Sequence, residues 1–171
     1  KNIAIDFSHT PDALAEDILN FIDNKSLQIP LIASHSNYRE IMDAPRNLPK
    51  EIAKEIINRN GVIGLNFIRR FVGEKPTDFL RHIDYALSIG AEDSIVIGAD
   101  YYGIGDMEFP TTSLPPRNGP TFQKDLDNSS CMPNFISLLE SHYSTEIIEK
   151  ITSKNALDYL QNQLKAFSLK S

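Results

Sequence analysis

Four nearly continuous apolar runs, at residues 3–8, 29–34, 62–67 and 94–99, constrain the fold of this chain more than any other feature. They are apolar throughout rather than alternating, the pattern of parallel strands covered on both faces. Helical patterns separate them. The first has Leu14, Ile18, Phe21 and Ile22 on one face, with Thr10 as N-cap and Pro11 at the first helical position. The second has Ile52, Ala53, Ile56 and Ile57 after Pro49, and the third has Phe79, Leu80, Ile83 and Leu87 after Pro76. Gly61 and Gly90 stand where the second and third helices should stop. Strand and helix thus repeat as four parallel βα units, with right-handed crossovers expected. The fold class is α/β, half of a TIM (β/α)8 barrel followed by C-terminal helices. A complete barrel takes about 250 residues, and this chain has 171. Four strands alone leave two sheet edges bare. Either the sheet is open, or other polypeptide completes it.

Residues 101–132 carry Pro110, Pro115, Pro116 and Pro120 and show no periodicity. Such a long loop, leaving the end of the fourth strand, is expected to be a lid or a substrate wall. Helices resume over 135–142, 145–152 and 156–167, the last with Leu157, Leu160, Leu164 and Phe167 on one stripe. Residues 1–171 read as a single domain. A net charge of −6 argues against a general nucleic-acid binder. Arg69-Arg70, the one adjacent basic pair, reads as solvated or paired surface arginines. The single cysteine, Cys131, excludes an internal disulfide and favours a cytoplasmic setting. Asn24-Lys25-Ser26 and Asn128-Ser129-Ser130 fit the glycosylation pattern, which is common by chance. No membrane-spanning run and no signal-peptide pattern is read in these residues, which says little about a targeting segment. A start at Lys1 rather than Met reads as a processed or truncated N-terminus.

In a parallel barrel the strand C-termini converge on one face, and that face carries the chemistry. Three residues lie at such ends: His9 in Ser8-His9-Thr10, His35 in Ser34-His35-Ser36, and Asp100 after Ile97-Gly98-Ala99. Two imidazoles are either metal ligands or hydrogen-bonded structural residues. Asp100 reads as a ligand, as a general acid/base or as a loop-ordering cap. Arg46, in Pro45-Arg46-Asn47-Leu48, reads as a carboxylate clamp or as a surface arginine. A serine–histidine nucleophile is disfavoured, since no Gly-x-Ser-x-Gly elbow occurs. His82 and His142 fall within or near helices and read as structural.

In this order, these pieces resemble the renal (membrane) dipeptidase family of zinc hydrolases. The matching stretches are Asp6-Phe7-Ser8-His9-Thr10, Pro30-Leu31-Ile32-Ala33-Ser34-His35-Ser36 and Pro45-Arg46-Asn47-Leu48. Gly61-Val62-Ile63-Gly64-Leu65-Asn66-Phe67, His82-Ile83-Asp84-Tyr85 and Ile97-Gly98-Ala99-Asp100-Tyr101-Tyr102-Gly103 follow. Tyr143-Ser144-Thr145-Glu146-Ile147-Ile148 and Asn155-Ala156-Leu157 close the set. The resemblance covers the C-terminal half of that family's barrel. It implies that His9 and His35 hold one zinc of a two-zinc site. It implies that Arg46 binds the substrate carboxylate, and that Asp100 faces the substrate and shuttles the proton of dipeptide hydrolysis. The family's other ligands, an early His-x-Asp pair and a bridging glutamate, have no counterpart here. Its second acidic residue after the fourth strand is Tyr102, and its usual glycine before the asparagine is Lys154.

The expected function is therefore zinc-dependent dipeptide hydrolysis, with this chain as the C-terminal half and inactive alone. Its partners would be a dipeptide and the N-terminal half of the barrel, with homo-oligomerisation left open. The alternatives are a non-catalytic binding or structural relative, or another metal-dependent amidohydrolase such as a lactonase or deaminase.

Overall fold

All four apolar runs become strands, each shorter than its run. β1 is Ile5–Asp6, β2 Leu31–Ala33, β3 Val62–Leu65 and β4 Ile95–Ile97. The structure, a computed structural model, describes residues 3–101 and 121–168. The sheet is wholly parallel in the order β1-β2-β3-β4. Ile5 faces Leu31, Ile32 faces Val62, and Ile63 faces Ile95 across the ladders. Among the described residues, β1 and β4 are the outer edges.

Helices α1 (Asp12–Asn24), α2 (Lys50–Asn58) and α4 (Asp78–Ser88) connect successive strands, with a short α3 (Arg69–Val72) after β3. In α2 and α4 the expected faces are buried, through Ile52, Ala53, Ile56, Phe79, Leu80 and Ile83. Two details differ from expectation in α1. Its buried stripe is Ala15, Leu19 and Ile22, while Leu14 and Phe21 are exposed. Pro11, not Thr10, is the N-cap, and Thr10 Oγ1 instead donates to Asp6 O at 3.3 Å. After α2 the left-handed residue is Asn60, at φ +55°. Gly61 serves close approach instead: a β-carbon there would stand 2.2 Å from Leu31 O.

Residues 102–120 of the expected loop or lid lie outside the described residues. The described remainder is anchored to the core through Phe122, Gln123 and Leu126, which are buried. Phe122 bridges Ile68, and the buried Gln123 donates to Gly73 O and Lys75 O, both at 2.8 Å. A 3-10 turn (Ser129–Cys131) leads into α5 (Met132–Glu140). Phe67, Phe79 and Phe135 then form a ring cluster with centroids 4.6 to 5.2 Å apart, fixing α4 and α5 to the end of β3. The chain closes with α6 (Thr145–Glu149), a π turn (Lys150–Lys154) and α7 (Asn155–Ser168). Asn155, in the closing motif, is buried and donates to Glu92 O and Ile95 O at 2.9 and 2.8 Å. It ties the last helix to β4. The expected leucine stripe of α7 does not enter this core, since Leu157, Leu160 and Leu164 are exposed. Among the described residues no helix is long and apolar enough to cross a membrane.

Candidate active site

β1 ends at Asp6, and the chain turns at once: Ser8 N donates to Asp6 Oδ1 at 2.9 Å and Thr10 N to Phe7 O at 3.1 Å. The turn puts His9 at φ +66°, where a β-carbon crowds the backbone. Beyond β2, His35 N donates to Ser8 Oγ at 3.0 Å, drawing the second turn against the first. The two Nε2 atoms end 3.1 Å apart, with the rings tilted by 58°. Two nitrogens each about 2.05 Å from one ion at a tetrahedral angle would lie about 3.3 Å apart. The pair therefore fits a shared metal ion with little movement. Partial burial, together with the Arg46 cation and His35, holds the His9 pKa below the ordinary imidazole value, against the pull of Asp100 and Asp6. Neutral imidazole is the form that binds metal. Among the described residues, no group of three or more His, Cys, Asp or Glu gathers to hold an ion. This part of the chain offers two donors.

Arg46 reaches the same place from the loop after β2. Arg39 braces that loop by gripping the Asp12 carboxylate through both terminal nitrogens, at 2.5 and 3.0 Å, and by donating to Pro45 O and Asn47 O. Arg46 then donates to Ser36 Oγ and His35 O, each at 3.1 Å. Its buried Nε has no protein partner among the described residues. Burial lowers its pKa from the ordinary value, while Asp100 and Asp6 raise it. The group still stays a cation at neutral pH. Asp100 also sits in the left-handed region, at φ +60°. Its Oδ2 accepts from Asn66 Nδ2 at 3.0 Å, and the buried Asn66 is itself locked to Asn37 by paired bonds of 3.0 and 3.1 Å. His9, Arg46 and Asp100 line one open cleft of about 670 Å³, walled by Ile68, Phe71 and Arg70. That volume suits a small ligand. Two non-glycine residues in left-handed backbone at one site is strain of the kind that functional sites hold.

The structure thus brings together His9, His35, Arg46 and Asp100. It places the other histidines elsewhere. His82 is fully buried, accepts from Tyr38 N at 3.3 Å and donates to Val72 O at 3.1 Å, and burial pushes its pKa down to about 4. His142 lies near the end of α5 with Ser141 Oγ 2.6 Å from its Nδ1. Arg69 pairs with Glu74 at 3.3 Å, as a surface arginine should, but Arg70 lines the cleft and packs over Phe71. Reading the sequence missed Arg39, Asn66, Ser34 and Asp6. The last three stand inside the quoted motifs, so proximity to the histidines and to Asp100 was their available signal. Arg39 gave none, because Asp12 lies on a different element.

The family model for membrane dipeptidases (peptidase family M19) matches residues 1–168. The chain is 30% identical over 142 residues to an uncharacterised protein of the pqqA 5′ region from Klebsiella pneumoniae, covering 78% of this chain and 46% of that one. It is 30% identical over 157 residues to dipeptidase ataJ from Aspergillus terreus, covering 90% and 34%. A metallo peptidase from Rhodobacter sphaeroides, solved with a phosphinate mimic of the dipeptide L-Ala-D-Ala, matches with a TM-score of 0.74 at 22% identity, over 92% of this chain and 42% of that one. An amidohydrolase from Pseudomonas aeruginosa matches at 0.73 and 20% identity, over 95% and 53%. The chain therefore spans from about a third to about half of the length of these proteins. Its four βα units are part of a TIM-barrel fold, as expected from the strand pattern.

Proposed function

This chain belongs to the membrane dipeptidase family, and from that premise we propose that it supplies one half of the active site of a zinc-dependent dipeptidase. The observation that carries this reading is the convergence of the His9 and His35 Nε2 atoms, 3.1 Å apart, beside a cleft that His9 lines together with Arg46 and Asp100. His9 and His35 would hold one ion of a two-zinc site, with the remaining ligands supplied outside this chain. When bound, such ions polarise a carbonyl and supply hydroxide at neutral pH.

The chain's own residues account for substrate handling. A dipeptide carries its free carboxylate close to the scissile bond. Arg46 lines the cleft and offers its positive charge to that carboxylate. Asp100, oriented by Asn66, takes the nucleophile's proton and passes it to the leaving amine. Phe71 and Ile68 form an apolar wall beside them.

The test is dipeptide hydrolysis by the natural protein. Chelation should abolish turnover and zinc should restore it. Arg46→Lys should raise KM for dipeptides at least tenfold while leaving an N-acyl substrate without a carboxylate unaffected. Turnover indifferent to chelator would defeat the proposal. One observation favours a second reading, a relative that binds peptide without cleaving it: Tyr102 stands where the family pattern has its second acid. Dipeptide binding with zinc present and no hydrolysis would establish that reading instead.

A further inference from the structure

We infer that Asp6 and Ser34 act as a positioning relay, fixing His35 as its Nδ1–H tautomer and so leaving Nε2 bare toward the metal. This rests on the reading of His9 and His35 as ligands. The inference follows from counting protons. Asp6 Oδ1 accepts from Ser8 N and Ser34 N at 2.9 and 3.0 Å. Its Oδ2 accepts from Ser34 Oγ at 2.5 Å. An ionised carboxylate accepts only, so the single hydroxyl proton of Ser34 points to Asp6. Ser34 Oγ is also 2.6 Å from His35 Nδ1. With its own proton committed to Asp6, Ser34 can only accept there, so Nδ1 carries the hydrogen.

A neutral imidazole protonated on Nδ1 has its free lone pair on Nε2, the atom 3.1 Å from His9 Nε2. In the metal-free protein that contact then takes its proton from His9. The competing acceptor for Ser34, Ser8 Oγ, is farther away at 3.5 Å and already accepts from His35 N. The arrangement is a carboxylate–hydroxyl–histidine chain, with the hydroxyl inserted where metal-binding histidines ordinarily meet a carboxylate directly. Neither Asp6 nor Ser34 touches the ion or the substrate in this scheme.

The test uses the protein as it is naturally made, labelled with 15N at histidine and stripped of metal. The nitrogen spectrum separates the two tautomers. Wild-type His35 should be the Nδ1–H form. Asp6→Asn keeps an oxygen for the two backbone N–H groups but puts an amide donor at Ser34. The Ser34 proton is then released to Nδ1, and the Nε2–H form of His35 should appear. Ser34→Ala, which leaves Asp6 and its backbone bonds in place, should also admit that form. Zinc affinity, measured against a competing chelator, should fall about 10- to 100-fold in both variants. If His35 stays wholly Nδ1–H in either folded variant, or is Nε2–H in the wild type, the relay is wrong. Because the tautomer is read without metal or substrate, its failure is separate from any failure to hydrolyse dipeptides.

Discussion

At the scale of single residues the candidate site is built on two strained positions. His9 and Asp100 both adopt left-handed backbone, which costs of the order of 1 kcal/mol for a residue with a β-carbon. The strain turns each side chain back over the strand ends instead of letting it continue along the strand. Asparagine tolerates that conformation best among ordinary residues, so Asp100→Asn keeps the fold and the bond partner Asn66 while removing the titratable group. The expected outcome is a kcat reduced by about 10²- to 10⁴-fold, with KM and melting temperature nearly unchanged. Steady-state kinetics on the natural protein beside a thermal melt would check it, and a kcat within threefold of wild type would remove Asp100 from proton transfer. His9, His35, Arg46 and Asp100 were legible in the sequence because each follows a strand or stands in a short motif. Arg39 and Asn66 were not. Their partners lie 27 and 34 residues away in the chain, a distance that no local pattern encodes.

At the scale of elements, two glycines decide how closely the second turn can approach the sheet. A β-carbon at Gly64 would stand 2.1 Å from Ser34 O, and one at Gly98 2.0 Å from the same atom. Both contacts are to backbone, which cannot rotate away. Gly64→Ala and Gly98→Ala should each destabilise by about 1–3 kcal/mol, lowering the melting temperature by roughly 2–12 °C for a chain of this size. They should also push Ser34 and His35 off register and weaken metal binding. Gly90→Ala is the contrast, since Gly90 has φ +87° but nothing near its missing β-carbon. It should cost less and leave zinc binding unchanged. Calorimetry with zinc titration on all three variants separates the two effects. The existence and order of the strands were legible because continuous apolar runs have few other uses. Strand lengths and the buried face of α1 were not. They depend on where helices bear on the sheet, and Leu14 and Phe21 give the same periodic signal whether they end inside or outside.

At the scale of the whole molecule, stability and activity follow from what the half-barrel buries and what it leaves open. His82 is held neutral by burial, with its pKa near 4 against an ordinary value of 6.5. The unfolded chain therefore takes up a proton at His82 below about pH 6.5, whereas the folded chain does not until about pH 4. Stability must fall as the pH drops through that window, by an amount of the order of 3 kcal/mol, and the His82 contribution must level off below it. His9 acts in the same direction, and Asp6 and Asp12, with lowered pKa values, add losses only at lower pH. Urea unfolding at pH 7 and pH 5 should show a smaller drop for His82→Gln than for the wild type, and equal drops would refute the assignment. The open parts set activity. β1 and β4 are outer edges among the described residues, and the unpaired backbone of such edges is a template for a further strand. Catalytic zinc sites take three protein ligands, and only two imidazoles converge here. This 171-residue chain by itself should therefore bind zinc weakly, associate as its concentration rises, and hydrolyse no dipeptide. Adding the remainder of the barrel should restore turnover and suppress the association. Chelator-sensitive hydrolysis by the isolated chain, measured beside its mass in solution, would mean that two histidines suffice and that the division of the site proposed above is mistaken.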